Sequence, residues 1–335
     1  MRILVTGGAG FIGSNLLLYL FEKYPEYEFL NIDKLTYASD PGRLKSIKQA
    51  NRYIFKKVDL VDREAVRDIV RKFDPNGVFH LAAESHVDNS ITGPEPFVLS
   101  NVVGTFNLLE ECKQHWEREG GALQENRFLH VSTDEVYGTL DDEGAFSEDT
   151  PYAPNSPYSA TKAGSDFLVR AYHHTYGMNV VTTNCSNNFG RFQHEEKLIP
   201  TVIRSALTHE SIPVYGKGEN VRDWLYVEDH CRALDLAFTD GIAGETYCIG
   251  GDNEWRNIDL VQAICDILND TVGEGPDGDY KNLIEFVTDR PGHDYRYAID
   301  ASKIKEQLGW RPIRNFEESL RETVRWYEER YRNHG

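Results

Sequence analysis

The sequence is poor in cysteine, and its cysteines show no grouping that would bind a metal. They are odd in number and widely spaced, with no CxxC pair and no histidine at ligand spacing: Cys112, Cys185, Cys231, Cys248 and Cys265. This pattern predicts reduced thiols that are mostly buried, and it argues against a metal centre.

Long apolar runs and an excess of positive charge are also missing. No segment approaches the roughly 18 consecutive apolar residues of a membrane span, and residues 1–5 form no basic and apolar leader. Lys and Arg number 36 against 54 Asp and Glu, a net charge of -18 that would repel nucleic acid. We therefore expect a cytoplasmic protein that binds neither membrane nor nucleic acid, although local arginines could still hold the phosphates of a nucleotide.

The first half of the chain contains a regular alternation of short apolar runs and amphipathic stretches. We assign the apolar runs to strands at residues 3–6, 29–32, 53–58, 77–81 and 128–132. The amphipathic stretches between them are predicted helices at residues 11–22, 43–49, 62–73 and 97–116. This order predicts an α/β fold with a doubly wound parallel sheet, and it predicts ligand sites at the carboxyl ends of the strands.

Three glycines follow the first predicted strand and open the first predicted helix. Gly7, Gly10 and Gly13 suit a tight turn that approaches a pyrophosphate, with the N-terminus of the helix facing the negative charge. Asp33 follows Gly13 at the spacing of an acid that binds adenosine ribose hydroxyls. Its negative charge favours NAD over NADP. Asp59, after the third strand, could flank the cofactor or could equally be a helix cap.

The second half of the chain continues the sheet and then becomes less regular. A helix is predicted at residues 158–176 and a strand at 180–184, followed by helices at 198–208, 227–238, 259–268 and 316–332. We expect residues 1–188 to form a Rossmann-type NAD-binding domain that is completed by segments returning from the C-terminal half. Residues 189–335 would mainly form a smaller, substrate-binding lid domain.

A tyrosine and a lysine four residues apart begin the helix predicted at residues 158–176. Tyr158 and Lys162 would share one helix face, where the ammonium lowers the pKa of the phenol and makes a phenolate base accessible near neutral pH. Thr133 ends the preceding strand, and Asp134 and Glu135 follow it as two acids at the mouth of the predicted pocket. Taken singly, Tyr158 and Lys162 could also be a solvent-exposed pair on one helix. Asp134 and Glu135 could likewise form an acidic turn at the surface.

In combination, the glycine segment, Thr133 and the YxxxK pair resemble the extended short-chain dehydrogenase/reductase family. The segment 133–138, Thr-Asp-Glu-Val-Tyr-Gly, is similar to the branch of nucleotide-sugar 4,6-dehydratases that acts on dTDP-glucose. Further similar segments follow in order at residues 81–88, 184–188, 196–200, 220–224 and 289–294. The chain departs from the consensus sequence of the family at residues 189–194, and it has Asn89 where the family often has Arg.

The resemblance implies an NAD-dependent removal of water from dTDP-glucose that yields dTDP-4-keto-6-deoxy-glucose. Tyr158, as phenolate, would take the proton of the 4-hydroxyl while a hydride passes from carbon 4 to NAD, and Thr133 and Lys162 would orient the hydroxyl and the cofactor. Glu135 would then remove the proton from carbon 5, and Asp134 would protonate the departing 6-hydroxyl. Return of the hydride to carbon 6 completes the reaction.

The same resemblance implies wider sets of binding residues. The cofactor is expected to contact Gly7, Gly10, Phe11, Ile12, Gly13, Asp33, Lys34, Leu35, Thr36, Asp59, Leu60, Leu81, Ala82, Ala83, Ser85, Ser100, Tyr158, Lys162 and Asn188. The substrate is expected to contact Ser85, Thr133, Asn187, Lys197, Leu198, Pro213, Val214, Tyr215, Arg222, Asn257, Asp289, Arg290 and His293. Within the second set, Arg222 and Arg290 are the natural bidentate partners of the diphosphate.

Three other functions remain open on the sequence alone. A 4,6-dehydratase for a CDP- or UDP-linked sugar would differ only in its contacts to the base. A 4-epimerase would oxidise carbon 4 without losing water, and Asp134 and Glu135 argue against it because an epimerase needs neither acid. A regulator that only senses a dinucleotide would be expected to have lost catalytic residues that this chain retains.

The resemblance also implies a quaternary structure. We expect a homodimer formed through the predicted helices at residues 97–116 and 158–176, packed against their copies as a bundle. Composition by itself says nothing about this assembly.

Overall fold

The computed structural model describes residues 1–118, 120, 123–276 and 278–332. The strands, in chain order, are β1 (Arg2–Thr6), β2 (Glu28–Asp33), β3 (Tyr53–Lys57), β4 (Gly77–His80), β5 (Arg127–Thr133), β6 (Val180–Cys185), β7 (Asn187–Phe189), β8 (Ile212–Tyr215), β9 (Val221–Tyr226), β10 (Thr246–Ile249), β11 (Glu254–Arg256) and β12 (Ile284–Val287). The helices are α1 (Phe11–Lys23), α2 (Arg63–Phe73), α3 (Val87–Thr92), α4 (Glu95–Phe97), α5 (Gly104–Arg118), α6 (Pro157–Tyr176), α7 (Leu198–Leu207), α8 (Val227–Thr239), α9 (Asn257–Val272), α10 (Ser302–Leu308) and α11 (Phe316–Arg332). The end of the predicted second domain, residues 333–335, lies outside the described residues.

Seven parallel strands form the central sheet, in the order β10-β6-β5-β4-β1-β2-β3. The chain builds outward from β1 in both directions, since β2 and β3 extend the sheet on one side and β4 to β6 extend it on the other. This reversal leaves a crevice at the carboxyl ends of β1 and β4, which is where doubly wound sheets bind their ligands. The predicted α/β fold with a doubly wound parallel sheet is confirmed.

Helices cover both faces of this sheet, as alternate residues of β1 show. Ile3 and Val5 pack with α1, α8 and α10 in one hydrophobic cluster, whereas Leu4 packs with α2, α5 and α6 in another. All three side chains are fully buried. Because successive side chains of a strand point to opposite faces, a sheet between two helix layers needs apolar residues at every position.

A further hydrophobic cluster lies among α7, α9, α11 and two small sheets. Strands β11, β9 and β7 form one of these sheets, and β12 pairs with β8 in the other. Three elements of the C-terminal half belong to the region of the large sheet: β10 is its edge strand, and α8 and α10 pack against it. We propose that this packing divides the chain into a Rossmann-type domain with returning segments and a smaller substrate-binding domain.

Two of the predicted helices are not continuous α-helices in the structure. At residues 43–49 the structure has a short 3₁₀ helix, Pro41–Leu44, followed by turns, because the Asp40 side chain accepts the N–H of Gly42 and bonds between residues three apart continue from there. The helix predicted at 97–116 is interrupted by a π-helical segment, Val98–Val103, between α4 and α5. Such wide turns often occur at functional sites, and this one carries Ser100 to the cavity described next.

Candidate active site

The turn between β1 and α1 leaves no room for side chains at two of its glycines. Gly7 has a φ of 71°, and a Cβ at this position would lie 2.7 Å from the backbone nitrogen of Ala82. A Cβ at Gly13 would lie 2.3 Å from the carbonyl oxygen of Gly7. Because Gly10 provides no side-chain cap where α1 begins, the first N–H groups of the helix can face an anion.

A cavity of about 300 Å³ opens beside this turn, at the carboxyl ends of the central strands. Its walls contain every residue of the predicted cofactor set except Leu35. Leu35 instead adopts a φ of 59° and donates its backbone N–H to Asp33 Oδ1 at 2.8 Å. The cavity walls also contain the whole predicted catalytic set: Thr133, Asp134, Glu135, Tyr158 and Lys162.

Asp33, at the end of β2, organises the loops around this cavity. Its Oδ2 accepts the N–H of Ala9 at 3.1 Å, and its Oδ1 accepts the hydroxyl of Ser39 at 2.9 Å. The carboxylate therefore ties the glycine turn to the loop that follows β2. Its contact with a ribose remains a prediction, and the carboxylate lies where that contact requires it, in the cavity wall.

The end of β5 presents the predicted acid pair. Thr133 is the last residue of β5, and its hydroxyl accepts the N–H of Glu135 at 3.3 Å and donates to Asp134 Oδ1 at 3.2 Å. Asp134 is only 2% exposed, so its predicted place at the mouth of the pocket is wrong. Its Oδ2 is buried and has no hydrogen-bond partner among the residues that the structure describes, which leaves this oxygen available to a ligand.

Helix α6 presents the tyrosine and the lysine from the neighbouring wall. Ser156 caps the helix through a capping box with Ser159, which fixes the first turn, where Tyr158 lies. One turn later, Lys162 donates from Nζ to the carbonyl oxygen of Val131 at 2.8 Å. Both side chains are buried, so α6 and β5 hold the two groups in a largely dry site.

Burial and charge separate the two acids. Burial raises the pKa of Asp134 well above its usual value, and the nearby carboxylates of Glu135 and Asp223 raise it further. Burial also raises the pKa of Glu135, but the positive charges of Lys197, Arg290 and Arg222 oppose that rise. The arrangement therefore favours a protonated Asp134 beside an ionised Glu135, the division that a general acid and a general base need.

The pKa of Tyr158 differs from the prediction. Burial raises it well above the ordinary value, and the charge of Glu135 adds to the rise, while a hydrogen bond with Thr133 lowers it. Burial lowers the pKa of Lys162. In the protein alone, the pKa of the Tyr158 phenol is therefore shifted in the direction opposite to the one predicted from the nearby Lys162 ammonium.

Only part of the predicted substrate set lines the cavity. Ser85, Thr133, Asn187 and Lys197 do so. The remainder of the set lies outside the cavity wall: Leu198, Pro213, Val214, Tyr215, Arg222, Asn257, Asp289, Arg290 and His293. The side chain of Val214 is buried in the cluster around α7, so only its backbone could contact a ligand.

The two predicted diphosphate arginines approach the acid pair from the C-terminal half of the chain. The guanidinium of Arg222 is buried over the ring of Tyr297, 4.2 Å from its centroid, and donates to the carbonyl oxygen of Asp294 at 2.8 Å. Arg290 pairs with Asp88 at 2.7 Å. Its Nε is buried and has no hydrogen-bond partner within the described part of the chain, so Arg290 retains a donor for an anion.

Several cavity residues were not predicted from the sequence. They come from strand ends, from the loop that follows β2 and from the loop that follows β7: Ile32, Ala38, Ser39, Val58, Val131, Ser132, Cys185, Ser186, Gln193, His194 and Glu196. Cys185 could have been found, since it directly follows the strand predicted at residues 180–184 and lies in the family-like segment 184–188. Gln193 and His194 could not, because the segment 189–194 departs from the family consensus.

The described residues bear on the predictions made from composition. All five cysteines are free and buried, as predicted. Over residues 1–118, 120, 123–276 and 278–332 no group of histidine, cysteine or acidic side chains could hold a metal ion. Within the same ranges, no helix has the length and apolar character needed to cross a bilayer.

Comparisons with known proteins decide the family. A family model described as GDP-mannose 4,6 dehydratase matches residues 4–323. A dTDP-glucose 4,6-dehydratase of Salmonella typhimurium is 51% identical over 337 aligned residues, which cover 98% of this chain and 92% of that protein. The chain belongs to the nucleotide-sugar 4,6-dehydratase family.

Solved structures agree on the fold of this dehydratase, a hydro-lyase. A dTDP-glucose 4,6-dehydratase of Bacillus anthracis in complex with NAD has a TM-score of 0.88 and 43% identity, covering 99% of this chain and 98% of that one. A UDP-glucose 4-epimerase of Thermotoga maritima has a TM-score of 0.87 and 27% identity, covering 99% of this chain and 100% of that one. The fold is thus shared by dehydratases and epimerases, and the two must be distinguished by their site residues.

Proposed function

We propose that this dehydratase removes water from dTDP-glucose in an NAD-dependent reaction and releases dTDP-4-keto-6-deoxy-glucose. The observation that carries the proposal is the acid pair. Asp134 and Glu135 lie in the same cavity as Tyr158, and their surroundings favour different protonation states. A reaction that both removes a proton from carbon and expels a hydroxyl needs these two groups together.

The glycine turn and Asp33 fit NAD. The crowding at Gly7 and Gly13 keeps the backbone close to the cavity, and the carboxylate of Asp33 would repel a 2′-phosphate. Bound there, NAD would supply a reversible hydride acceptor and the positive charge of its ring. That charge is of the sign needed to lower the pKa of the Tyr158 phenol.

The residues of this chain then divide the proton transfers among themselves. Tyr158 takes the proton of the sugar 4-hydroxyl, with the hydroxyl of Thr133 and the ammonium of Lys162 holding the reacting groups in place. Once carbon 4 has also given up its hydride, the ketone acidifies the hydrogen on carbon 5, which Glu135 removes as a proton. Asp134, kept protonated by burial, donates its proton to the departing 6-hydroxyl, so that water leaves.

We assign the diphosphate to the cationic side of the site. Lys197 lines the cavity, and Arg222 and Arg290 lie near enough to oppose the pKa rise of Glu135. A bound diphosphate would satisfy the Nε of Arg290 with a charge-assisted hydrogen bond. Asn187 and Asn257 remain further candidates for substrate contact, the latter because its buried Oδ1 has no partner within the described residues.

Replacement of Arg290 by Lys tests this assignment. The charge is retained but the planar fork is lost, so we expect KM for the nucleotide sugar to rise roughly 10- to 100-fold with little change in kcat, as for loss of one charge-assisted hydrogen bond. Steady-state kinetics measure the split. Arg127→Lys is the matched control, since Arg127 is half-buried and donates to the carbonyl oxygen of Phe238 outside the cavity; an equal KM rise in both variants would refute the assignment.

We further propose that the dehydratase is a cytoplasmic homodimer. Buried, unpaired thiols suit a reducing compartment. Two exposed apolar stripes lie on neighbouring helical segments: Leu99 and Phe106 are seven residues apart, as are Ala160 and Phe167 on α6. Helices packed against their copies would bury such stripes.

Replacement of Phe167 by Glu tests the dimer. Phe167 is 57% exposed in the single chain, and a charge at this position would be desolvated in a helix bundle. We therefore expect the variant to elute as a monomer in size-exclusion chromatography with light scattering. Phe286→Glu is the control, since Phe286 is 59% exposed on β12, away from these helices; a monomeric wild type, or an unchanged dimer in Phe167→Glu, would exclude this interface.

An assay of the purified protein tests the proposed reaction. dTDP-glucose is incubated without added reductant, and mass detection of the nucleotide sugar follows the loss of one water with catalytic turnover. CDP-glucose and UDP-glucose run in parallel rank the bases. An isobaric product at carbon 4 would instead indicate an epimerase, and no turnover on any of the three would overturn the proposal.

A further inference from the structure

A buried carboxylate lies behind the active site and collects hydrogen bonds from three parts of the fold. Asp166 of α6 is 4% exposed and does not line the cavity. Its Oδ1 lies 3.0 Å from His130 Nε2, and its Oδ2 accepts from Ser132 at 2.8 Å and Tyr152 at 3.0 Å. Asn184 Nδ2 lies 3.4 Å from the same Oδ2. The carboxylate therefore joins α6 to β5, β6 and the loop before α6.

These donors are neutral and do not balance the charge of the carboxylate. Burial lowers the pKa of His130 to about 4, so its imidazole donates from Nε2 without being charged. Lys162 precedes Asp166 by four residues, so the two side chains share one face of α6. Asp166 raises the pKa of Lys162 against the larger effect of burial, which lowers it. Lys162 and Asp166 thus interact electrostatically across one turn of α6.

We propose that Asp166 is a positioning residue of the reaction: its buried carboxylate keeps the Lys162 ammonium charged and its hydrogen bonds hold the strand end that carries Thr133. The second part follows from Asn184, whose Nδ2 bonds both Asp166 and the carbonyl oxygen of Thr133 at 3.0 Å. The role in catalysis rests on the proposed function of the site. The electrostatic effect of Asp166 on Lys162 does not.

The groups that face Lys162 and Asp166 from β4, β5, β6 and the loop before α6 do not add a second titration in the working range. His80 of β4 and His130 of β5 face Lys162, and burial holds the pKa of both imidazoles below its usual value. Cys185 of β6 also faces Lys162, and burial raises the pKa of its thiol to about 12. The Tyr152 phenol on the other side of Asp166 has its pKa raised by burial. Loss of activity at alkaline pH would therefore report Lys162 or the general acid Asp134. Asp166 is among the groups that shift the pKa of Lys162 and not among those that shift the pKa of Asp134, so a displacement of the limb on replacing Asp166 reports Lys162.

Replacement of Asp166 by Asn tests the electrostatic role. Without the carboxylate, only the smaller effect of Cys185 opposes the effect of burial on Lys162. The pKa of Lys162 therefore falls, and the alkaline limb of the kcat/KM profile moves to lower pH by about one unit. Asp235→Asn is the matched control, because Asp235 is equally buried, accepts from Tyr24 at 3.0 Å and pairs with Lys23 outside the cavity. An alkaline limb that stays in place in Asp166→Asn would overturn the proposal.

A double-mutant cycle read out by thermal stability tests the interaction of Asp166 with Lys162 without any substrate. Asp166→Asn and Lys162→Met are made singly and together, and the melting temperature of each is measured. If each charge compensates the other, Asp166→Asn lowers the melting temperature when Lys162 is present and raises it in the Lys162→Met background, since an unpaired buried charge is then removed. Equal drops in both backgrounds, or a double variant that fails to fold, would refute the pairing even if the proposed reaction is correct.

Discussion

Glu135→Gln should lower kcat roughly 10²- to 10⁴-fold, the usual contribution of a general base. The amide cannot take the proton from carbon 5, whereas Tyr158 can still take the proton of the 4-hydroxyl. Oxidation at carbon 4 therefore proceeds and elimination does not. Mixing the variant with dTDP-glucose should produce the near-ultraviolet absorbance of reduced nicotinamide in proportion to the enzyme, followed by very slow product formation.

The control for this variant is Glu111→Gln. Glu111 is as buried as Asp134, but it pairs with Arg63 outside the cavity, so its replacement should affect folding stability and leave kcat unchanged. Wild-type turnover by Glu135→Gln would mean that another group removes the proton. Loss of turnover without any reduced nicotinamide would mean that Glu135 acts before elimination.

Tyr158→Phe should lower kcat by a similar factor, roughly 10²- to 10⁴-fold, but at the first step. Without the phenol no group takes the proton of the 4-hydroxyl, so no reduced nicotinamide should form on mixing. The two variants are therefore told apart by the absorbance of the cofactor, although both are nearly inactive. Rapid-mixing absorbance followed by mass analysis of the sugar measures both quantities.

Tyr172→Phe is the control for Tyr158→Phe. Tyr172 lies on the same helix, is buried, and donates its hydroxyl to Glu110 at 2.7 Å, away from the cavity. Its replacement tests what the loss of a buried hydroxyl from α6 does to the fold alone. Formation of reduced nicotinamide by Tyr158→Phe at the wild-type rate would exclude Tyr158 as the base.

The cofactor side of the site could be predicted from the sequence because its signals are local. Gly7 and Gly13 are required by close approaches within one turn, and Asp33 lies at the end of the next strand, so spacing alone places them together. The doubly wound sheet could be predicted for the same reason, since each strand and helix has its own apolar period. Strands β7 to β12 were missed because the chain beyond residue 188 lacks the regular alternation of apolar runs and amphipathic stretches that indicates β1 to β6.

The acid pair shows the limit of that reasoning. The sequence places Asp134 and Glu135 side by side, but their different surroundings come from residues far along the chain: Asp223, Arg222 and Arg290 approach from the C-terminal half of the chain. Burial of Tyr158 likewise depends on the whole fold and reverses the pKa shift expected from Lys162 alone. Local spacing reveals which groups meet, whereas their charge states depend on tertiary structure.

The most direct test of the proposed reaction is the fate of one hydrogen. dTDP-glucose carrying deuterium on carbon 4 is converted without added reductant, and the product is analysed by mass and NMR spectroscopy. An internal oxidation and reduction predicts loss of one water and deuterium in the methyl group at carbon 6. Deuterium retained at carbon 4 with no loss of water would contradict the dehydratase and indicate an epimerase.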